Sequence, residues 1–319
     1  MSSDRPITLS PQHYVAPLEE TPLVAIDRVR VAERTSNLWI DAWRDLRRRP
    51  MFWISSALIV LITVVALFPT LFTDVPPNND CQLSNSNGGP TEGHPLGFTK
   101  QGCDVYSRIL HGAGTSLSVG IIVIVLTTVL GIVFGALAGF YGGWIDSVLS
   151  RVGDIFFSIP YILAAVVVMS VFSAYRNVWV ISLAIGAFAW PSTARVLRSE
   201  ILRVRSSEFV MASEALGVSR FRILLRHVLP NSIAPVIVIT TISLAAAIVA
   251  EATLSFLGVG LPTSTMSWGN DISQAQFDIR TAPQTLFWPS LALSITVFAF
   301  IMLGELIRDA LDPKARAQR

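Results

Sequence analysis

The sequence predicts an all-α, polytopic membrane protein. Two compositional facts and one pattern predict it. The 319 residues are 52% hydrophobic and only 14% charged, against about 25% charged in soluble domains. Mean hydropathy is +0.56. Six apolar stretches, 52–72, 116–139, 153–173, 178–196, 232–256 and 286–307, approach or exceed the roughly 20 residues that a helix needs to cross a bilayer core.

The same sequence excludes several chemistries. Its only lysines are Lys100 and Lys314, and neither lies in a Gly-x4-Gly-Lys-Ser/Thr loop, so P-loop ATP hydrolysis is excluded. C-x-x-C, H-E-x-x-H and Gly-x-Ser-x-Gly are absent. His13, His94, His111 and His227 are too scattered for a metal site. No catalytic residue, bound metal or nucleic-acid partner is expected.

Residues 1–36 are polar and without period, and are read as a disordered tail; the first apolar run begins near Phe52, too late for a signal peptide. Residues 37–50 differ. Trp39, Trp43 and Leu46 recur at helical spacing beside Arg44, Arg47, Arg48 and Arg49, which predicts a basic amphipathic helix in the headgroup region. The first span is placed at 51–73 and a loop at 74–115. Cys81 and Cys103 both fall in that loop; a disulfide between them is expected, with two free thiols as the alternative. Residues 116–310 hold the remaining spans, and 311–319 form a tail.

In the second span, Gly131, Gly135 and Gly139 repeat every fourth residue, a ridge that lets another helix approach closely. The fourth span is expected to break near Pro191, and Pro160, Pro235 and Pro289 are further candidate kinks. In the 257–285 loop, Trp268, Ile272 and Phe277 suggest a short interfacial helix. Glu251, near the far end of the fifth span, is a candidate for the translocation path, or else an interface residue bonded to neighbouring backbone. Asp146 and Asp154, near Arg151, are read as local ion pairs or first-turn charges, and Glu305, Arg308 and Asp309 as an anchoring charge cluster.

Arginine distribution sets the expected orientation. Eight Arg precede the first span, and Arg195, Arg198, Arg203, Arg205, Arg220, Arg222 and Arg226 surround the 196–231 loop. Lys314 and Arg308, Arg316 and Arg319 lie around the chain's end. The alternate loops hold only Lys100, Arg108, Arg176 and Arg280. The positive-inside rule then puts both termini and the 196–231 loop in the cytoplasm and the 74–115 loop outside.

Within 206–230, Glu208–Leu216 reads as a short helix capped by Ser206 or Ser207, Gly217 as its stop, and a second helix runs from Ser219 toward Pro230. Such a helix–Gly–helix between spans is a lever able to pass another protein's motion into the membrane. Ala212–Gly217 followed by Val228-Leu229-Pro230 resembles the EAA loop of ABC-importer permeases. Ala212, Gly217 and Leu229-Pro230 match that pattern; Met211, Ser213 and His227 depart from it. The matching stretches His94–Gly97, Gly102–Ile109, Phe140–Asp146, Glu251–Gly260, Ser267–Asn270 and Leu306–Pro313 extend the resemblance to the C-type permease subunit of dipeptide/oligopeptide importers, over about Leu38 to Arg316. The Cys103 position is usually Arg in that family.

The resemblance implies a type I ABC-importer permease fold with six transmembrane helices. It implies an elbow helix at 37–50 and a coupling helix presenting Met211, Ala212, Ser213, Glu214, Ala215, Gly217 and Arg220 to an ATPase. The implied partners are a second permease forming a heterodimer, P-loop ATPase subunits carrying ATP and Mg, a solute-binding protein outside, the prokaryotic cytoplasmic membrane and a short peptide substrate. The same machinery importing nickel chelates, haem or glutathione is the nearest alternative. An ATP-independent channel or secondary transporter and a membrane scaffold are alternatives of another class.

Overall fold

The computed structural model describes residues 38–79 and 81–311; the tail expected at 1–36 lies outside the described residues, as does the tail expected at 311–319 except Leu311, which ends the last helix. Helix α1 (Leu38–Leu46) lies against the last helix, burying Ala42 and Leu46 on Ala310 and Leu311. Trp39 and Trp43, on its opposite side, are 43% and 51% exposed, as headgroup-facing aromatics would be. Arg49 follows α1 and bridges Asp45 at 2.7 Å and Asp309 at 3.0 Å, so the anchoring cluster at the end of the chain is tied to α1. Helix α2 (Pro50–Leu67) opens on a proline, whose missing N–H costs nothing at the first turn. Pro69 follows its end, which makes the first span shorter than the expected 51–73.

Helix α3 (Val105–Tyr141) has 37 residues and is about 56 Å long. It starts well before residue 116. The Asp104 carboxylate sets that start by accepting from the Ser107 N–H at 2.9 Å. It stops where Gly142 and Gly143 turn the chain with φ of +67° and +55°. The third apolar stretch is not one continuous helix. It forms α4 (Gly143–Ser158) and α5 (Tyr161–Val171), bent by 77°. Pro160 lacks an N–H and forces Ile159 into an extended conformation, and no helix passes through that pair.

Helix α6 (Val178–Arg205) corrects the opposite expectation, because it runs through Pro191 without stopping. Asn177 caps it, accepting from the N–H groups of Trp179 and Val180 at 2.9 and 3.0 Å. The glycine ridge of α3 packs on α6. A Cβ at Gly131 would sit 2.6 Å from Thr193 Cγ2, one at Gly135 2.6 Å from the Ala194 carbonyl oxygen, and one at Gly139 3.0 Å from the Arg198 carbonyl oxygen. The ridge thus meets α6 just after Pro191, and before it a Cβ at Gly186 would sit 2.7 Å from Leu126 Cδ2 of α3, so α3 holds α6 on both sides of the proline, which lets the helix survive one lost backbone bond.

The chain continues through α7 (Glu208–Ala215) and α8 (Arg220–Ile223), a π-type turn over Leu224–Val228, and α9 (Leu229–Ser232). Helix α10 (Ala234–Phe256), the short α11 (Trp268–Ala275) and α12 (Gln284–Leu311) complete it. Among the described residues, α2, α3, α6, α10 and α12 are long and apolar enough to cross a membrane, and α4–α5 is a sixth crossing if taken as one broken span. The central core joins α3, α5, α6 and α10 through Val119, Met169, Ile181, Ile185 and Leu254. Trp268 was expected at an interface. It is 2% exposed and donates from Nε1 to the Ile109 carbonyl at 3.0 Å, whereas Phe277 is 80% exposed.

Candidate functional site

Three places carry chemistry or mechanics: the α7–α9 end, a cavity at the helix break, and the opposite end where the disulfide lies. Helix α7 is held to the molecule mainly by Val210, buried with Ile201, Val204, Ile223 and Leu224. Ser207 stands at its N-cap without a side-chain capping bond, and the Ser206 hydroxyl donates instead to the Arg203 carbonyl at 2.9 Å. The C-terminus is closed firmly. The Gly217 N–H donates to the Glu214 carbonyl at 2.9 Å and the Val218 N–H to the Ser213 carbonyl at 3.2 Å, the paired bonds of a Schellman motif. Gly217 has φ +75° and open space where a Cβ would be, so glycine is required there by its backbone and not by crowding.

Met211, Ala212, Glu214, Ala215, Gly217 and Arg220 are all exposed, and Ser213 is half-buried with its hydroxyl donating to the Phe209 carbonyl at 2.7 Å. Neither Glu214 nor Arg220 has an ion-pair partner among the described residues. Sequence reasoning named Met211 but missed the rest of the apolar part of this surface. Phe209, Met211, Leu216 and Phe221 are 43%, 55%, 84% and 60% exposed. Large apolar side chains displayed outside the spans mark a docking surface. The available signal was their presence in an otherwise polar stretch.

Between α3, α6, α10 and the α4–α5 break lies a cavity of about 400 Å³. Ile159, Pro160 and Tyr161 form its wall at the break, and Thr127, Ser192 and Ser243 add hydroxyl groups. No formally charged side chain lines it. Nothing in the periodicity of the spans identifies these residues; the signal was Pro160. On the α7 side of this cavity, α4 is tied to α6 by charge: Asp146 receives both Nε and Nη2 of Arg198 at 2.6 Å, and Asp154 pairs with Arg195 at 2.8 Å. The local pair expected with Arg151 is longer, 3.8 Å.

Glu251 does not line this cavity. It has no exposed surface. Its carboxylate accepts from the Ser267, Ser255 and Ser116 hydroxyls at 2.9, 3.0 and 3.3 Å, which joins α10, α3 and the entry to α11. Nearby, Arg108 of α3 donates to Asp271 of α11 from Nε at 2.9 Å and from Nη2 at 2.5 Å, and its Nη1 donates to Asn78. Burial pushes the Asp271 carboxyl up from the usual range, and the Arg108 guanidinium opposes that shift. Neither partner's role was read from the sequence, because they are 163 positions apart.

The loop before α3 is pinned to the same end. Cys81 and Cys103 form a disulfide. Gly102 has φ +74°, and a Cβ on it would fall 1.8 Å from the Gln82 carbonyl oxygen, so only glycine admits this close crossing beside the disulfide. His94 Nδ1 lies 3.3 Å from the Asp104 carboxylate that caps α3. Among the described residues no group of three or more His, Cys, Asp or Glu is placed to hold a metal.

Comparison with known proteins agrees with this architecture. Residues 131–317 match the model of the binding-protein-dependent transport system inner membrane component, and residues 37–90 match the N-terminal TM domain of oligopeptide transport permease C. The chain is 35% identical over 302 residues to the glutathione transport system permease protein GsiD of Escherichia coli O157:H7, covering 94% of this chain and 97% of that protein. The GsiD of Shigella boydii serotype 4 gives the same identity and coverage. The inward-facing MetNI methionine ABC transporter shares the fold, with a TM-score of 0.54 at 20% identity, over 64% of this chain and 96% of that one. The chain therefore belongs to the inner-membrane components of binding-protein-dependent transport systems, and is a multi-pass permease subunit of a bacterial ABC importer, a family that works with separate ATPase and binding-protein components.

Proposed function

We propose that this permease passes short peptides across the cytoplasmic membrane, glutathione-like tripeptides included, as one half of a heterodimer with a second permease. The observation that carries the peptide assignment is the cavity at the α4–α5 break. Its uncharged, mostly apolar wall with a few hydroxyl groups, and its volume of about 400 Å³, suit a small peptide held by apolar contact and oriented through those hydroxyls and not through one fixed charge. The match to oligopeptide permease C and the similarity to glutathione permeases support the same class.

Helix α7 is the contact with the ATPase subunit, where ATP and Mg are held. Phe209, Met211, Leu216 and Phe221 fill apolar hollows on that partner, and Glu214 and Arg220 pair with its charges. Both termini and α7 face the cytoplasm, as the arginine distribution supports. The Cys81–Cys103 disulfide belongs with an oxidising exterior, where the loop before α3 receives the binding protein. ATP-driven closure of the ATPases shifts α7, and the permease pair exchanges between two rigid-body packings.

The test is Gly217→Val in the complete transporter. A β-branched residue at φ +75° costs about 1–3 kcal/mol and unseats the end of α7. Uptake of a short peptide is expected to fall about tenfold or more, with the amount of permease in the membrane unchanged. Uptake at the wild-type rate would overturn the assignment of α7 as the lever.

A further inference from the structure

At the disulfide end, the chain holds Lys100, Arg108, Arg176 and Arg280. Lys100 pairs with Asp278 at 3.3 Å and Arg108 with Asp271 at 2.5 Å. Arg280 is exposed. Arg176, in the turn between α5 and α6, differs from all three. It is half-buried and has no carboxylate partner among the described residues. Its Nη1 donates to the Gly258 carbonyl at 3.0 Å, which fixes the guanidinium against the turn after α10, and its Nε is buried without a hydrogen bond.

Arg176 lines a second cavity of about 400 Å³, together with Ser173, Thr263, Asn270, Ser273 and Gln274. No acidic side chain lines it. Asn270 Nδ2 is occupied by the Pro262 and Thr265 carbonyls at 2.7 and 2.8 Å, which braces the wall, while Gln274 Nε2 is buried and has no partner. The site therefore presents one fixed cation and unpaired N–H donors, with no anion to neutralise them. A partly desolvated guanidinium in that setting favours a carboxylate, which its planar fork matches with two oxygens. The concave shape and the size suit the end of a small molecule.

We propose that this cavity binds the carboxylate of the transported substrate at the disulfide face, before the substrate reaches the cavity at the helix break. Arg176 is the charge that recognises it and Gln274 a supporting donor. The proposal rests on the peptide-import reading above. It adds a preference that the uncharged cavity at the break cannot supply: substrates with a free C-terminal carboxylate are favoured over those in which it is blocked.

The experiment uses the complete transporter, with its ATPases, second permease and binding protein, in proteoliposomes. Trialanine and trialanine amide are supplied with saturating binding protein, and ATP-driven uptake is measured for the wild type, Arg176→Gln and Arg176→Lys. The wild type is expected to carry trialanine faster than the amide. Arg176→Gln is expected to slow trialanine about tenfold while changing the amide by less than about twofold, and Arg176→Lys to keep part of the preference. Equal slowing of both peptides by Arg176→Gln overturns the proposal, because it is the result of losing only the tie to Gly258 or of losing a contact with an acidic group on the binding protein. Unchanged uptake of both overturns it too. A wild-type transporter that carries neither peptide removes the peptide-import reading, and this proposal falls with it.

Discussion

The two ends of the molecule are built on opposite plans. At the disulfide end, a covalent bond, a fully buried Glu251 in three serine hydroxyls and a buried Arg108–Asp271 pair hold the loop, α3, α10 and α11 together. At the other end, α7 relies on Val210 and on a glycine-closed C-terminus, while its large apolar side chains stay exposed. One end is over-determined by its own contacts; the other leaves much of its apolar surface uncovered by its own contacts. A part that must be gripped and moved is drawn from the weakly held end of a structure, and a part that must keep its shape during that motion is drawn from the strongly held end.

Substitutions can break this contrast in order of size. Arg108→Ala leaves Asp271 buried and unpaired, and is expected to destabilise by about 3–5 kcal/mol, read as a lower temperature of thermal unfolding in detergent. Replacing Cys81 and Cys103 by serine frees a loop with a separation of 22 residues, and is expected to cost about 3 kcal/mol. Reductant should shift the unfolding of the wild type by the same amount and leave the serine variant unaffected. Val210→Ala, at the other end, is expected to cost about 1–3 kcal/mol, to raise hydrogen exchange in α7 alone, and to leave the disulfide end unchanged. If Val210→Ala loosened both ends equally, the contrast would be wrong.

The two ends were also unequally legible in the sequence. Helix–Gly–helix, the position of Gly217 and the exposure of the 208–217 segment follow from local propensities, which a sequence displays directly. The glycine ridge was legible as a ridge, but its partner α6 was not, because spacing says nothing about which helix faces it. Two prolines that the sequence offered as breaks or kinks behave oppositely for one reason. Pro160 breaks the chain where Ile159 turns extended, while α3 clamps α6 on either side of Pro191. That outcome is tertiary. Apart from Ser255, four positions on, the serine cage of Glu251 and the Arg108–Asp271 pair depend on residues 16 to 163 positions apart, and the apolar content of α10 gives no hint of them.

The α3–α6 contact has a consequence for how the two faces communicate. Cys103 lies two residues before α3, the glycine ridge fastens α3 along α6, Arg205 Nη1 donates to the Phe140 carbonyl at 3.0 Å, and α7 begins three residues later. The loop and α7 thus sit at opposite tips of the α3–α6 beam, α7 joined to it through the Ser206–Ser207 turn. Equilibria at its two tips are then linked, and linkage is reciprocal. If nucleotide on the ATPases shifts the affinity of the far face for its loaded capture protein by some factor, that protein must shift nucleotide affinity by the same factor. With the orientation proposed above, occupancy outside the cell is felt as a binding constant for ATP inside it.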